Sequence, residues 1–207
     1  MPTQRLTPEQ ITAAALDLMD AEGLAAVSMR ALAQRLGVGT MTLYGYYRSR
    51  DELLDAVVDA ATADAANHRT SGRTSAKPLA ELTALFTALH RTLSEHPALY
   101  RIRMSRPFLS PGVLRVCDRA LGQLRRAGLD DAAAVRGYRT LYLFTLGCVT
   151  YASQDAAGTR SALDALPPSD FPHLSALAPT MAHTAGGPDE FDTGLATLLT
   201  ALLGQHG

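Results

Sequence analysis

The chain has 207 residues, enough for one large or two small domains, and 47% of them are hydrophobic, so a sizeable core is available. A formal net charge of −1 excludes a generally basic polyanion binder while leaving room for local basic patches. Cys117 and Cys148 stand far apart and without metal-ligand spacing, which argues against a disulfide framework or a metal site and for small buried residues in a reducing, cytoplasmic compartment.

The polar start, Met1 to Gln10, has no apolar segment of signal-peptide length. Thr7-Pro8-Glu9-Gln10 instead opens a helix. Thr7 suits the N-cap, Pro8 the first helical position, and Gln10 the position that closes a capping box. Leu6 and Ile11 hold the two positions of a hydrophobic staple. Ile11, Ala14, Ala15, Leu18 and Met19 recur at helical spacing until Gly23. A second helix follows Ser28, buries Met29, Leu32, Ala33 and Leu36, and stops at Gly37. A short third helix is expected from Thr40 to Tyr47. A fourth begins at Ser49-Arg50-Asp51-Glu52, another capping-box pattern, and buries Leu54, Val57, Val58 and Ala61.

Asn67 to Lys77 is polar and small and reads as a linker or a frayed helix end. After Pro78, Leu79, Leu82, Phe86, Leu89 and Leu93 make one apolar face that ends at His96-Pro97. A short helix covers the stretch from Ala98 to Met104. Pro111 opens another, with Val113, Cys117, Leu121 and Leu124 inward, and Gly128 closes it. The next helix, from Ala132 to Gln154, is apolar almost all round in its second half and must be covered on several sides. A partner subunit is a natural cover. The longest apolar run in it, Leu141 to Ala152, is too short to span a bilayer, so no membrane partner is expected. Ala156 to Gly187, with its four prolines, reads as irregular, with a short helix near His173 to Ala178. The last helix starts at Pro188-Asp189-Glu190, whose acids suit a helix N-terminus. Its stripe of Phe191, Leu195, Leu198 and Leu202, joined by Tyr151, is the expected dimer interface. No strand signal and no internal repeat is evident.

The segment 28–47, SMRALAQRLGVGTMTLYGYY, carries the functional signal. Two turns of helix meet Gly37 and a second short helix follows within a few residues, the spacing of a helix-turn-helix. In that motif the first helix crosses the DNA backbone and the second enters the major groove. The second helix would be about 12 Å long at the usual rise, which suits one half-site of a few base pairs.

The stretch LGVGTMTLYGYYRSRDELL resembles the tetracycline-repressor (TetR) family of transcriptional regulators, in its leucine-glycine-valine, threonine-leucine-tyrosine and serine-basic-acidic-glutamate-leucine pattern. Spacing and flanking helices agree with that family from Leu6 to Val58, and the segments HPALYR and FPHLSALAP are similar to those of some members. The resemblance implies an all-α homodimer. Residues 1–50 would form a three-helix DNA-binding domain, 51–66 a connecting helix, and 67–207 a helical effector-binding and dimerisation domain. It also implies a repressor that binds a palindromic double-stranded operator and is released by a small-molecule effector.

Residue chemistry sharpens the expected DNA contacts. Thr40, Met41 and Gly45 would face base edges, Met41 suiting a thymine methyl. The family often has a larger residue where Gly45 stands and a histidine where Tyr46 stands. Thr42, Tyr44 and Tyr46 offer hydroxyls to phosphates, and Arg30 suits a base or a phosphate. Arg48 and Arg50 flank the fourth helix's N-terminus, itself suited to a phosphate. Leu43 and Tyr47 are expected in the core. Against the reading, residues 1–55 hold five arginines and seven acids, where a DNA-binding domain is usually basic.

An effector pocket needs apolar walls with a few polar anchors. His90, Tyr100, Arg103, Met104, Phe108, Cys117, Tyr138, Tyr142 and Thr145 are the candidates. Each also reads as an ordinary core residue. Nothing in the chain has the form of a nucleophile elbow, a metal-spaced histidine pair or a phosphate loop, so no catalytic residue, metal or cofactor is expected. The alternative function is a helical dimerisation or interaction protein whose DNA reading is degenerate.

Overall fold

A computed structural model describes residues 6–67, 77–105, 110–152, 161–184 and 188–204, and no strand occurs among them. Four helices open the chain: α1 (Pro8–Glu22), α2 (Met29–Leu36), α3 (Thr40–Tyr44) and α4 (Arg50–Asn67), with one 3-10 turn at Leu24–Ala26. The remainder is α5 (Pro78–Glu95), α6 (Pro97–Ser105), α7 (Pro111–Arg126), α8 (Asp131–Ala152), α9 (Pro172–Thr184) and α10 (Pro188–Gly204).

Local chemistry sets the first boundaries. The Thr7 hydroxyl accepts from the Gln10 amide while the Gln10 side chain accepts from the Thr7 amide, a complete capping box. Ser28 caps α2 by accepting from the Ala31 amide at 3.1 Å. Gly37 ends α2 with φ 67°, a left-handed conformation that a side chain would disfavour. The Val38 amide reaches back to the Ala33 carbonyl and the Gly37 amide to Gln34, which completes a Schellman motif. α4 starts with a variant capping box. Ser49 accepts from the Glu52 amide, and the Glu52 carboxylate accepts from the amide of Arg48 rather than that of Ser49.

α1, α2 and α3 pack around Ile11, Ala15, Leu18, Leu32 and Leu43, all buried. α4 closes this head with Leu53 and Leu54 and continues into a larger body, where it packs on α5 and α7. Leu82, Leu85, Phe86 and Leu89 of α5, Val116, Ala120 and Leu124 of α7, and Leu141 of α8 fill the body. The buried residues form one cluster from Ile11 to Leu199, so head and body share a continuous core through α4. Among the described residues no helix is long and apolar enough to cross a membrane.

Two expectations change. α3 is shorter than the expected Thr40–Tyr47, because the chain tightens into a turn at Gly45 and Tyr46. The segment near His173 forms a longer helix, α9, which runs on through Pro179 although that residue has no N–H to offer its preceding turn. α9 lies largely in solvent, with Phe171 just before it and Leu174, Leu177 and Met181 on it all exposed.

Candidate nucleic-acid interface and effector pocket

Leu43 anchors α3: it is fully buried beneath the helix, a placement that contributes about 1.5–3 kcal/mol. That anchoring turns the other side of α3 outward. Met41 is 79% exposed and Tyr44 45%, while Thr42 and Gly45 are also exposed and Thr40 is half-buried. Arg30 on α2 and Arg48 before α4 are exposed as well. Gly45 has φ −71°, an ordinary helical value, and a Cβ there would come 3.2 Å from the Thr42 carbonyl oxygen. Its backbone conformation therefore does not demand glycine.

Two residues expected at the DNA surface are turned inward. The Arg50 guanidinium donates through Nε to the Val27 carbonyl at 2.6 Å and through Nη2 to the Leu24 carbonyl at 2.8 Å. It ties the start of α4 to the connection between α1 and α2. The Tyr46 hydroxyl donates to the Leu6 carbonyl, closing the turn after α3 onto the start of α1. These donors already have intramolecular acceptors, so both residues hold the head together. Tyr47 is buried, with its hydroxyl 3.5 Å from the Pro8 carbonyl, and burial beside Glu9 and Glu52 pushes its pKa up. The acids of the head are partly engaged too, since Glu52 caps α4 and Asp20 meets His96 of the body.

In the body, α4, α5, α6, α7 and α8 converge on a narrow internal space. Val58 and Thr62 of α4, Leu89 and Leu93 of α5, Val113 and Val116 of α7 make it largely apolar, and Arg103 and Tyr142 supply its polar end. Its accessible volume is about 10 Å³, room for about one water molecule. Arg103 Nε donates to the Tyr142 hydroxyl at 2.8 Å, and its guanidinium lies 5.6 Å from the centre of the same ring. Burial pushes the Tyr142 pKa up, and Arg103 offsets part of that rise. Tyr142 stacks on Tyr138 at 5.6 Å. Burial, reinforced by the Cys117 thiol to which it is hydrogen-bonded, lifts Tyr138 far above the ordinary phenol range.

Of the expected pocket residues, Arg103 and Tyr142 thus line the space, while Tyr138 and Cys117 stand behind the Tyr142 ring and are not part of its lining. Other candidates lie elsewhere. His90 stacks on Phe191 at 3.9 Å, nearly parallel, and its pKa is lowered by burial. Thr145 is fully buried, but its hydroxyl donates to the Leu141 carbonyl of its own helix at 2.8 Å. Tyr100 packs half-buried against the core. The side chain of Met104 and all of Phe108 lie outside the described residues. Val58, Thr62, Leu89, Leu93, Val113 and Val116 line the space as well, outside the expected pocket set. Their helical spacing is that of any core face, and no local signal separates the two.

The expected dimer stripe divides. Phe191 and Leu195 are buried within their own chain, Phe191 stacked with His90 and with Phe144, because α5 and α8 of the same chain cover that face of α10. They are core residues. Leu198 and Leu202 are half-buried, and the Tyr151 side chain lies outside the described residues. What faces outward is instead a side of α8, with Val135 48% and Leu143 59% exposed, and Thr197, Thr200 and Ala201 of α10, the helix packed on α8, are exposed too.

Comparison with known proteins agrees with this architecture. Residues 11–57 match the family model for bacterial regulatory proteins of the tetR family, and residues 79–205 match that for the tetracyclin repressor-like C-terminal domain. The chain is 31% identical to the tetracycline repressor protein class A from transposon 1721 of Escherichia coli, over 96% of this chain and 91% of that protein. It is 29% identical to an HTH-type transcriptional regulator of Saccharopolyspora erythraea, over 98% of this chain and 86% of the relative. Among solved structures, ActR of Streptomyces coelicolor in complex with actinorhodin superposes with a TM-score of 0.80 at 30% identity, covering 99% of each chain. ActR in complex with (S)-DNPA gives 0.78 at 31% identity, covering 98% of this chain and 100% of ActR. With an exposed α3 in a helix-turn-helix head and a C-terminal helical body that both match, this chain belongs to the TetR family of DNA-binding transcriptional regulators.

Proposed function

We propose that this protein is a ligand-responsive repressor that binds a palindromic operator as a homodimer and is released by a small-molecule effector. The observation that carries the reading is the course of α4. Its first turns place Leu53 and Leu54 in the core of the head, and its later turns place Val58 and Thr62 in the wall of the internal space. One rigid element therefore touches both the DNA-binding head and the pocket. An effector that binds one orientation of α4 better than another shifts the population of head spacings. Two recognition helices on a dimer must sit about 34 Å apart to reach successive major grooves.

Met41, Tyr44, Thr40, Thr42 and the backbone at Gly45 are the proposed groove and phosphate contacts on α3, with Arg30 and Arg48 on the flanking backbone. Arg50 and Tyr46 are assigned to the integrity of the head. The outward side of α8, around Val135 and Leu143, together with the exposed side of α10, is the proposed dimer surface. ActR carries actinorhodin or (S)-DNPA in its solved structures. By that likeness this pocket takes a small organic effector, with Arg103 and Tyr142 at its polar end. Such a ligand needs a cavity of hundreds of cubic ångströms, so its entry must part side chains that now nearly fill the space. The protein has no catalytic role in this reading and acts where its DNA is, in the cytoplasm.

Selection of bound duplexes from a random pool, followed by footprinting, tests the core of the proposal. The expected product is a two-fold symmetric site bound by a species of twice the 22.0 kDa chain mass. Recovery of no common sequence would favour a degenerate reader instead.

A further inference from the structure

Asp20 lies on the last turns of α1, in the head. His96 closes α5 in the body, at the corner where α6 begins. Asp20 Oδ2 and His96 Nδ1 are 2.6 Å apart. The corner itself is well held. The His96 amide donates to the Thr92 carbonyl of α5, and the His96 carbonyl accepts the Leu99 amide of α6. Pro97 follows with its φ fixed by its ring. The imidazole is therefore presented from a rigid platform, and α6 also packs against both α1 and α4.

We propose that Asp20 and His96 form a latch that sets the angle of the DNA-reading head against the body, making them positioning residues for operator recognition. The inference rests on the operator-binding dimer proposed above. α4 is a single helix running from head to body, and one helix alone leaves the head free to bend or roll about that axis. The hydrogen-bonded Asp20–His96 contact ties α1 to the α5–α6 corner, at a second point away from α4. The far end of α6 carries Arg103, hydrogen-bonded to Tyr142 in the internal space, so the helix that leaves the latch corner also reaches the pocket. Both partners are partly exposed, and such a pair contributes little to global stability. Its effect is directional: it selects one head orientation.

The charge on Asp20 makes the test sharp. An acid on a DNA-binding head repels phosphates, so removing it should tighten binding if the carboxylate acts only through the field of the protein. The latch predicts the opposite sign. The experiment measures the affinity of wild type, Asp20→Ala, His96→Ala, the double variant and the reversed pair Asp20→His/His96→Asp. The probes are the duplex selected by wild type and duplexes with its half-sites moved one base pair closer or farther. Melting temperatures are recorded beside each affinity. Each single variant should bind the selected duplex about fivefold more weakly and lose most of the wild-type preference for its spacing. The double variant should be no weaker than the singles, and the reversed pair should recover the preference. Tighter or unchanged binding by Asp20→Ala, or a lowered melting temperature with the spacing preference intact, would overturn the latch. So would a wild type indifferent to spacing. A monomer on a single half-site would overturn the dimer reading and the latch together, because a lone head needs no fixed angle.

Discussion

Asp59 of α4 accepts a hydrogen bond from the Gly112 amide at the start of α7, and the two residues meet so closely that a Cβ on residue 112 would lie 2.6 Å from the Asp59 carboxylate oxygen. The same Cβ would come within 2.7 Å of the Asp59 carbonyl oxygen and the Thr62 hydroxyl. One of these neighbours is backbone and cannot step aside. Ser110 accepts from the Val113 amide one residue further on, so two open amides of the α7 terminus are satisfied, one from α4 and one from the cap. Asp59 also lies 3.7 Å from Arg115. The connecting helix is thus docked on the body by a contact that only glycine fits.

Gly112→Ala should therefore force α4 and α7 apart. Overpacking of this kind costs about 1–3 kcal/mol, which for a chain of this size lowers the melting temperature by roughly 3–10 °C. Thermal unfolding followed by circular dichroism checks it. A variant that melts within a degree of wild type would mean the contact is looser than its geometry.

The two arginines at the start of α4 should behave differently. Arg50→Ala leaves the Val27 and Leu24 carbonyls without their guanidinium donors and should cost about 1–3 kcal/mol of stability. The salt dependence of DNA binding should be unchanged. Arg48 projects outward, and Arg48→Ala should leave the melting temperature alone while reducing the slope of log affinity against log salt by about 1. Denaturant titration and binding isotherms between 50 and 200 mM salt, a range over which counterion release is readily measured, separate the two. An Arg50→Ala protein of full stability with a reduced slope would return Arg50 to the phosphate contacts.

This contrast also marks where the sequence could be read. Thr7, Gln10, Ser28 and Gly37 act on neighbours within a few residues, so their roles follow from spacing alone. Leu43 was legible as core because helical periodicity points it inward. Arg50 and Tyr46 were not, because their acceptors lie 23 to 40 residues away and no local pattern tells an inward hydroxyl or guanidinium from an outward one. Phe191 and Leu195 failed for a related reason. An apolar stripe reveals that a face is covered, and only the path of the chain reveals whether α8 or a second subunit covers it. The pocket wall was illegible because a valine lining a cavity and a valine filling a core have the same spacing.

Met41 should be the clearest reporter of groove reading. It is the most exposed large apolar side chain among the described residues, and it supports nothing beneath it. Met41→Ala should leave stability unchanged and weaken binding to the selected duplex by about 1–3 kcal/mol, the usual worth of one base contact. Replacing the thymine it touches by uracil, which lacks the methyl, should weaken wild type but not the variant. Equal losses in both proteins would remove Met41 from the base contacts.

His90 gives stability a pH dependence. Burial against Phe191 lowers its folded pKa below the unfolded value, and the nearby Asp192 opposes that shift. Below an unfolded value near 6.5 the unfolded chain then binds a proton more readily than the folded chain. Stability must therefore rise with pH through this range and fall on acidification. His90→Phe keeps an aromatic ring over Phe191 and removes the titration. The drop in melting temperature between pH 7 and 5.5 should be smaller in His90→Phe than in wild type. Parallel curves would show that the ring is not the titrating group.

Leu143 and Phe191 separate the proposed dimer surface from the core. Leu143 is 59% exposed on α8, whereas Phe191 is 5% exposed and stacked with His90 and Phe144. Phe191→Ala should destabilise the folded chain by about 3–5 kcal/mol, the cost of emptying an aromatic core site. Leu143→Glu leaves the protomer core untouched and places a charge opposite its own symmetry mate if α8 lies at a two-fold interface. Sedimentation should then show a folded, helical monomer at concentrations where wild type is a dimer. DNA affinity should fall with it, because each half-site must be bound without its partner. A Leu143→Glu protein that remains dimeric at micromolar concentration would move the interface off this face of α8.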